Sequence, residues 1–574
     1  MMKNIENSNG IWEKTRKEII GRNSFFDTPF GKRLITYADY TASGRGITFI
    51  EDYVSKLMEL YGNTHTEDDI TGTYTTELLK EAERKIKNAF NAPSDYKIIH
   101  EGYGSTGAIH RLQKILGVYI PPVLKEKLQE YTEEYLKEKN DKCDDLMDYI
   151  CSKRPVVFVS PYEHHSNELT WREGFAEVIE IDMNKDGFID LKDLKRKIAR
   201  PEYKNRTKIG SFSACSNVTG IKTDVYKIAE ILHDNDAYAF FDFSASAPYT
   251  KIDIHRNNKA YFDALFFSPH KFIGGPGSCG ILLIHEKLYR RDLPPTCSGG
   301  GTVAYVGYND QVYVNDIELR EKPGTPGILP LLRASLAIEL RDKLGPERIE
   351  KREKELCRKA INFLKGIPNI EILGNLNPDN RIPIISFNIK NNNKYLHPKF
   401  IVKLLNDLFG IQARAGCSCA GPYGHRLLNI DDEKSKKYRE KVKKGLEGLK
   451  PGWARISLHY LMTDEEVDFI LKSIEFLSEY TKYFLKVYRF NIFTGAWSHV
   501  DSTDAKVEFG VEEALKIGSN TSNPYRLSDS EIENLHHYYL REAYTLASKI
   551  KNDFDESQIE ETEDDLLSFV YYRE

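Results

Sequence analysis

The strongest constraint on what this chain can fold into is an alternation that starts near residue 72 and runs to about residue 285. Short apolar runs of strand character take turns there with longer segments of helical period. "TGTYTTELLKEAERKIKNAF" reads as an amphipathic helix, "YKIIHE" as a strand and "GAIHRLQKIL" as the helix that follows. "PVVFVS", "AEVIEI", "KIGSFSA", "AYAFFDF", "DALFFS" and "GILLI" continue as buried strands, separated by turns or by helices such as "DVYKIAEILH". Parallel strands need a crossover, usually a helix, so this alternation predicts an α/β fold around a largely parallel sheet. A charged helical insertion, residues 119–154, interrupts the pattern as a lid or as decoration.

After the long helix in "GTPGILPLLRASLAIELRDKLG" the pattern changes to short strands and helices mixed, through about Tyr480, a second and smaller α+β unit. Within it the strand "RISLHY" leads to a helix opened by Thr463 with Glu466 three residues on, the signature of a capping box. A chain of 574 residues needs several cores. The expected division is an N-terminal segment 1–40, a large domain 41–310, a small C-terminal domain 311–480 and an extension 481–574 of unknown role. The extension carries eight acids and no base from Asp553 to Asp565, which reads as a solvated face or flexible end.

Charged residues at 29%, hydrophobic ones at 40% and a net charge of −5 are ordinary for a globular protein and call for neither nucleic acid nor membrane. No stretch reaches the roughly 18 apolar residues of a membrane span. "MMKNIENSNGIWEKTRKEII" lacks the apolar run of a signal peptide, so a cytoplasmic location is expected. The eight cysteines lack metal-type spacing and read as free thiols, with only Cys417 and Cys419 as close neighbours. No metal site is expected.

Three motifs mislead. "DMNKDGFIDLKD" places Asp182, Asn184, Asp186, Gly187, Asp190 and Asp193 at calcium-loop spacing, but a strand precedes it where a helix is required, so it is a strand-to-helix turn. "GPGSCG" has dinucleotide-type glycine spacing and opens no helix. "SPHK" has Ser-x-x-Lys spacing without the other motifs of that hydrolase class. "GYGSTG" (Gly102 to Gly107) is different, because it follows a strand and opens a helix whose free amides can hold a phosphate, with Ser105 and Thr106 adding hydroxyls.

Downstream of that cradle lie the histidine pair of "YEHHSNELTW", the asparagine of "SACSNVTG", Asp242 at a strand end, and Lys271 in "FFSPHKFIGGPG". These are the parts that pyridoxal phosphate requires: a phosphate site, an amine for a Schiff base, and a carboxylate beside the pyridine nitrogen so that the ring can act as an electron sink.

With these residues in view, the chain from about Tyr37 to Tyr480 resembles the class V aminotransferase family of fold type I pyridoxal phosphate enzymes, in its cysteine desulfurase and selenocysteine lyase branch. The resemblance rests on "YADYTASGRG", "GYGSTGAIH", "EHHSNELTW", "SNVTG", "FFDFSASAPY", "SPHKFIGGPGSCGILL", "SGGGTV", "KPGTPG", "RAGCSCAGP" and "ARISLHY", in the family's order. It implies a mainly parallel seven-stranded sheet in a large domain and a smaller α+β C-terminal domain. It implies Lys271 as the Schiff-base lysine, Asp242 as partner of the pyridine nitrogen and His164 as the ring that stacks on the cofactor. Ser105, Thr106, Ser268 and His270 would hold the phosphate, with Thr325 reaching it from a second subunit. Arg455 would clamp the substrate carboxylate, Asn217 would lie near that carboxylate and the ring oxygen, and Cys419 would carry sulfur away as a persulfide.

Two departures stand out: Ala245 occupies a place where the family often has glutamine, and "CSC" sets Cys417 two residues before the presumed nucleophile, where it could resolve the persulfide, form a disulfide or be inert. The implied activity is removal of sulfur or selenium from L-cysteine or selenocysteine by a cytoplasmic homodimer with a shared active site, leaving alanine and serving a sulfur-acceptor protein. The rivals are an aminotransferase, epimerase or other carbon–sulfur lyase of the same family, and a scaffold protein without catalysis.

Overall fold

The computed structural model describes residues 8–64, 66, 68–139, 149–150, 152–501, 527–560 and 569–572. All seven strand segments form and share one sheet. They are β1 (Tyr96–Glu101), β2 (Val156–Val159), β3 (Glu177–Glu180), β4 (Lys208–Ser213), β5 (Ala237–Asp242), β6 (Ala264–Phe267) and β7 (Gly280–His285). Their order is β1-β7-β6-β5-β4-β2-β3. Neighbours are parallel except where β7 runs against both β1 and β6. The expected α/β class and mainly parallel sheet are what the chain adopts.

Strands covered on both faces read as continuous apolar runs, and here successive residues divide between two cores. Phe241, Leu265, Phe267 and Leu283 pack on one face with Leu331 and Ala334. Phe240, Phe266 and Leu282 pack on the other with Ala108, Ile109 and Leu112. The helices that supply these contacts and frame the sheet include α1 (Ile70–Ala89), α2 (Gly104–Ile115) and, much later in the chain, Ile328–Leu344. α1 starts where the Asp69 carboxylate accepts the Gly72 amide at 2.7 Å. The insertion forms the helix Pro122–Lys139, whose side chains over residues 122–135 are largely exposed. Its residues 140–148 and 151, and residues 561–565 of the acidic run, lie outside the described residues.

A second, antiparallel sheet is built from β8 (Ile370–Ile372), β9 (Ile384–Asn391), β10 (Lys394–Tyr395), β11 (Arg414–Gly416) and β12 (Trp453–Ser457), in the order β8-β9-β12-β11 with β10 beside β9. The helix Asp464–Phe484 that follows it begins with the predicted capping box: Thr463 accepts the Glu466 amide and Glu466 accepts the Thr463 amide. From the other end of the chain, Thr36–Tyr37 pairs in parallel with Ile411–Gln412, which delivers Asp39 to a bridge with Ser457 at the end of β12.

The extension after residue 480 is part of this core. Its helix Asp529–Asn552 buries Ile532, His536, Tyr539, Ala543 and Ala547, and the His536 ring stacks on Phe469 at 3.9 Å. The Leu34 amide donates to the Tyr539 hydroxyl at 3.1 Å, and Arg33 pairs with Glu542 at 2.7 Å. Burial of Ile532 alone stabilises by about 1.5–3 kcal/mol, and with the ring stack and the Arg33 pair it makes the helix a structural member. Asp553, Asp555 and Glu556 beyond it are exposed. Among the described residues no helix is long and apolar enough to cross a membrane.

The calcium-loop spacing is spent on turn chemistry. Asn184 accepts the Asp186 and Phe188 amides at 2.9 and 3.1 Å, and Asp190 caps the helix Leu191–Ile198 through the Lys192 amide at 2.8 Å.

Candidate active site

In a parallel sheet the strand ends that lead into loops leave a crevice where ligands bind. Here Asp242, the last residue of β5, sits in register between Ser213 of β4 and Phe266 of β6. β6 ends at Phe267 and runs through Ser268 into a single tight helical turn, Pro269–Lys271, closed by the Lys271 amide on the Ser268 carbonyl at 3.1 Å. β1 ends at Glu101, and α2 begins at Gly104 with a φ of 63°, a left-handed conformation that glycine adopts without cost. The neighbouring strand passes so near that a β-carbon on Gly280 would collide with the Gly104 carbonyl. The Ser105 amide then donates to Ser268 Oγ at 2.9 Å, which ties the start of α2 to the lysine loop.

These elements enclose a cavity of about 460 Å³. Ser105, Thr106, His164, Asn217, Asp242, Ser268, His270, Lys271, Cys419 and Arg455 all line it, as does Ala245. Ten of the eleven residues singled out from the sequence therefore converge on one space. Thr325 does not line it; its hydroxyl accepts from Asn63 Nδ2 at 3.3 Å.

Burial sets the electrostatics. It lowers the Lys271 ammonium to about 8, a fall opposed by Asp242 and assisted by Arg455. Asp242 is raised by burial, against hydrogen bonding from Ser244, whose amide donates to Oδ1 at 2.8 Å, and against the charge of Lys271. Burial and then Lys271 push His164 down to about 3 and His270 to about 4, so both rings are neutral. Cys215 also lines the cavity, but burial pushes its thiol up to about 12 and keeps it protonated.

The opposite wall comes from the small sheet. Arg455, 3% exposed, donates from Nη1 to the Asn217 carbonyl at 2.9 Å and pairs through Nη2 with Asp39 Oδ1 at 3.0 Å. The other Asp39 oxygen accepts from Arg414 Nε at 3.0 Å. Arg455 also lies close enough to Cys419 to feel charge on its sulfur. The cysteine segment is fastened from the large sheet: the His165 amide donates to the Cys419 carbonyl at 2.8 Å, Gly421 N–H donates to His165 Nε2 at 3.0 Å, and Asn217 Nδ2 donates to the Ser418 carbonyl at 2.6 Å.

Sequence reading passed over three of these residues. Asp39 stands in the quoted "YADY" with no role assigned, although an acid between aromatic residues at a strand end is a signal. His165 was overshadowed by its neighbour His164. Glu163, the acid before that pair, is buried and accepts from the Ser213 amide at 2.8 Å, from Ser213 Oγ at 2.6 Å and from Asn167 Nδ2 at 2.7 Å, anchoring the histidine segment to the strand ends.

The family model described as aminotransferase class-V matches residues 146–470. A probable cysteine desulfurase of Halalkalibacterium halodurans is 27% identical over 451 residues, covering 78% of this chain and 94% of the relative. A probable cysteine desulfurase of Staphylococcus aureus is 26% identical over 461 residues, covering 79% and 94%. Among solved structures, an apo cysteine desulfurase of Thermococcus onnurineus superposes with a TM-score of 0.62 at 21% identity, over 81% of this chain and 98% of that one. A cysteine desulfurase of Escherichia coli gives 0.58 at 19% identity, over 82% and 98%. These two likenesses speak for the fold.

Proposed function

The chain belongs to the class-V aminotransferase family, whose members depend on pyridoxal phosphate, and from that premise we propose that it is a cysteine desulfurase. The observation that carries the proposal is the placing of an exposed cysteine, Cys419, on the rim of the cavity that also holds Lys271, Asp242 and Arg455.

The cavity fits the cofactor. The first turn of a helix borders it, the buried Asp242 carboxylate faces the Lys271 amine across it, and the lining Ser105 and Ser278 hydroxyls are buried without a hydrogen-bond partner among the described residues. Ser105, Thr106, Ser268 and His270 would hold the phosphate, with Thr325 reaching it from a second copy in a homodimer. Asp242 would hold a proton at the ring nitrogen, and His164 would form one wall. Bound there, pyridoxal phosphate supplies an electron sink for bond breaking at the α-carbon of an amino acid.

The residues of the chain do the rest. Arg455 receives the substrate carboxylate in a planar, permanently charged fork, with Asn217 beside it and Asp39 behind it. An amine with a pKa of about 8 is neutral in roughly a tenth of molecules at pH 7, so Lys271 can take the α-proton and return it. The Cys419 sulfur, as its thiolate, attacks the substrate sulfur. The carbon–sulfur bond breaks, a sulfur–sulfur bond forms, and the products are alanine and a persulfide on Cys419, ready for a cytoplasmic sulfur-acceptor protein. Selenocysteine would react in the same way.

Holoenzyme supplied with L-cysteine is expected to give alanine, with the sulfur first found on Cys419. Cys419→Ser should keep the visible absorbance of the cofactor and lose sulfur transfer. A keto acid in place of alanine, or full turnover by Cys419→Ser, would assign the chain to another activity of the family.

A further inference from the structure

Two thiols share the exposed turn at the cavity rim. The Cys417 carbonyl accepts the Ala420 amide at 3.1 Å, and the two residues inside that hydrogen bond are left-handed, Ser418 with φ 52° and Cys419 with φ 56°. This is a β-turn of the primed class, with Cys417 at its first position and Cys419 at its third. A turn whose ends close to within about 7 Å puts the first and third α-carbons in the range of about 4.4–6.8 Å that a disulfide spans. Left-handed backbone costs a residue with a side chain about 1–2 kcal/mol. Serine and cysteine nevertheless stand where glycine would relieve that strain, and the bonds from His165, Gly421 and Asn217 hold the turn in place.

Position separates the two sulfurs by role. Cys419 lines the cavity; Cys417 does not, and both are exposed. Cys417 therefore has no access to the substrate, yet it stands beside whatever sulfur Cys419 carries. Cys215 inside the cavity and Cys279 and Cys357 elsewhere are buried, and burial pushes their thiols up to about 12.

Resting on the desulfurase reading, we propose that Cys417 is a resolving thiol. It releases the sulfur of the Cys419 persulfide as hydrosulfide and closes a Cys417–Cys419 disulfide, which halts the enzyme until a dithiol reductant reopens it. The Cys417 thiol gives up its proton to solvent, and its thiolate attacks the inner sulfur of the persulfide. The bond from inner to outer sulfur breaks, and the outer sulfur leaves with the electron pair as hydrosulfide. The Cys417 sulfur is oxidised from the thiol to the disulfide level, the outer sulfur is reduced by the same amount to hydrosulfide, and the Cys419 sulfur stays at the disulfide level it already had in the persulfide, so closure needs no external oxidant. Reopening takes two electrons from the dithiol. The turn thus makes the fate of the sulfur depend on whether an acceptor or Cys417 reaches it first.

The test is a single turnover. Holoenzyme freed of thiols receives one equivalent of L-cysteine per active site and is quenched in acid; alanine, sulfide and intact mass are then measured. The expected wild-type result is alanine with matching sulfide, in a chain lighter by two hydrogens. Cys417→Ser and Cys417→Ala should yield alanine with at least about tenfold less sulfide, in a chain heavier by one sulfur. A wild-type chain that keeps the added sulfur as fully as the variants do overturns the resolving role and leaves the desulfurase reading intact. Alanine from none of the proteins overturns both.

Discussion

The floor of the cavity and the cysteine turn at its rim are built by opposite rules. At the floor, Asp242, Ser105 and Ser268 are buried and mounted on strand ends and a helix start, beneath a sheet covered on both faces. At the rim, Cys417 and Cys419 are exposed on a left-handed turn held by contacts from distant segments. The floor can shift an amine to about 8 because water is excluded around it. The rim gives up that control in exchange for access, as any site that passes an atom to another molecule must. One cavity thus joins a region specialised for tuning charge to a region specialised for handing over sulfur.

The largest expected effect tests the floor. Lys271→Ala removes the proton carrier and should lower alanine formation from cysteine by at least about 10²–10⁴-fold, the usual worth of a positioned acid–base group. The cofactor spectrum should change as well, whereas Cys419→Ser leaves it intact. Matching spectra in the two variants would break the division between floor and rim.

A smaller effect tests the rim. His165→Ala removes the acceptor that receives Gly421 N–H. A lost hydrogen bond of this kind is worth about 1 kcal/mol, so sulfur transfer to Cys419 should slow about five- to tenfold at unchanged cofactor affinity. His165→Asn, which retains an acceptor, should recover part of the rate. Equal loss of cofactor binding would show that the turn and the floor are one unit.

The smallest is a pH slope. In the cofactor-free protein Lys271 titrates near 8, against about 10.4 in an unfolded chain. Between these values the unfolded chain holds more protons, so folding stability rises with pH through that window, is lowest and flat below it, and levels off above it. A single titrating group limits the slope to about 1.4 kcal/mol per pH unit. Denaturant midpoints measured from pH 7 to 10 should show it, and Lys271→Met should remove that component.

The same division explains what could be read from the sequence. The floor is local: a strand ending in Asp242, a turn carrying Lys271 and a glycine turn opening a helix each announce themselves within a dozen residues. The rim is assembled from afar. Asp39 and Arg455 are 416 positions apart and Asn217 and Ser418 are 201 apart, and no local period encodes such pairings. The helix Asp529–Asn552 shows the same limit, since its helical character is local while its burial depends on Phe469, Leu34 and Arg33.

That helix has a consequence for how the protein is made. Arg33 and Glu542 are separated by 509 positions, and the strand just after Arg33 leads directly to Asp39. On the ribosome, the sheet around Lys271 can mature while later residues are still being translated, but this clasp must wait until Glu542 has emerged. Contacts of such long range slow folding, so a nascent chain is expected to acquire its vitamin pocket well before it secures the arginine opposite.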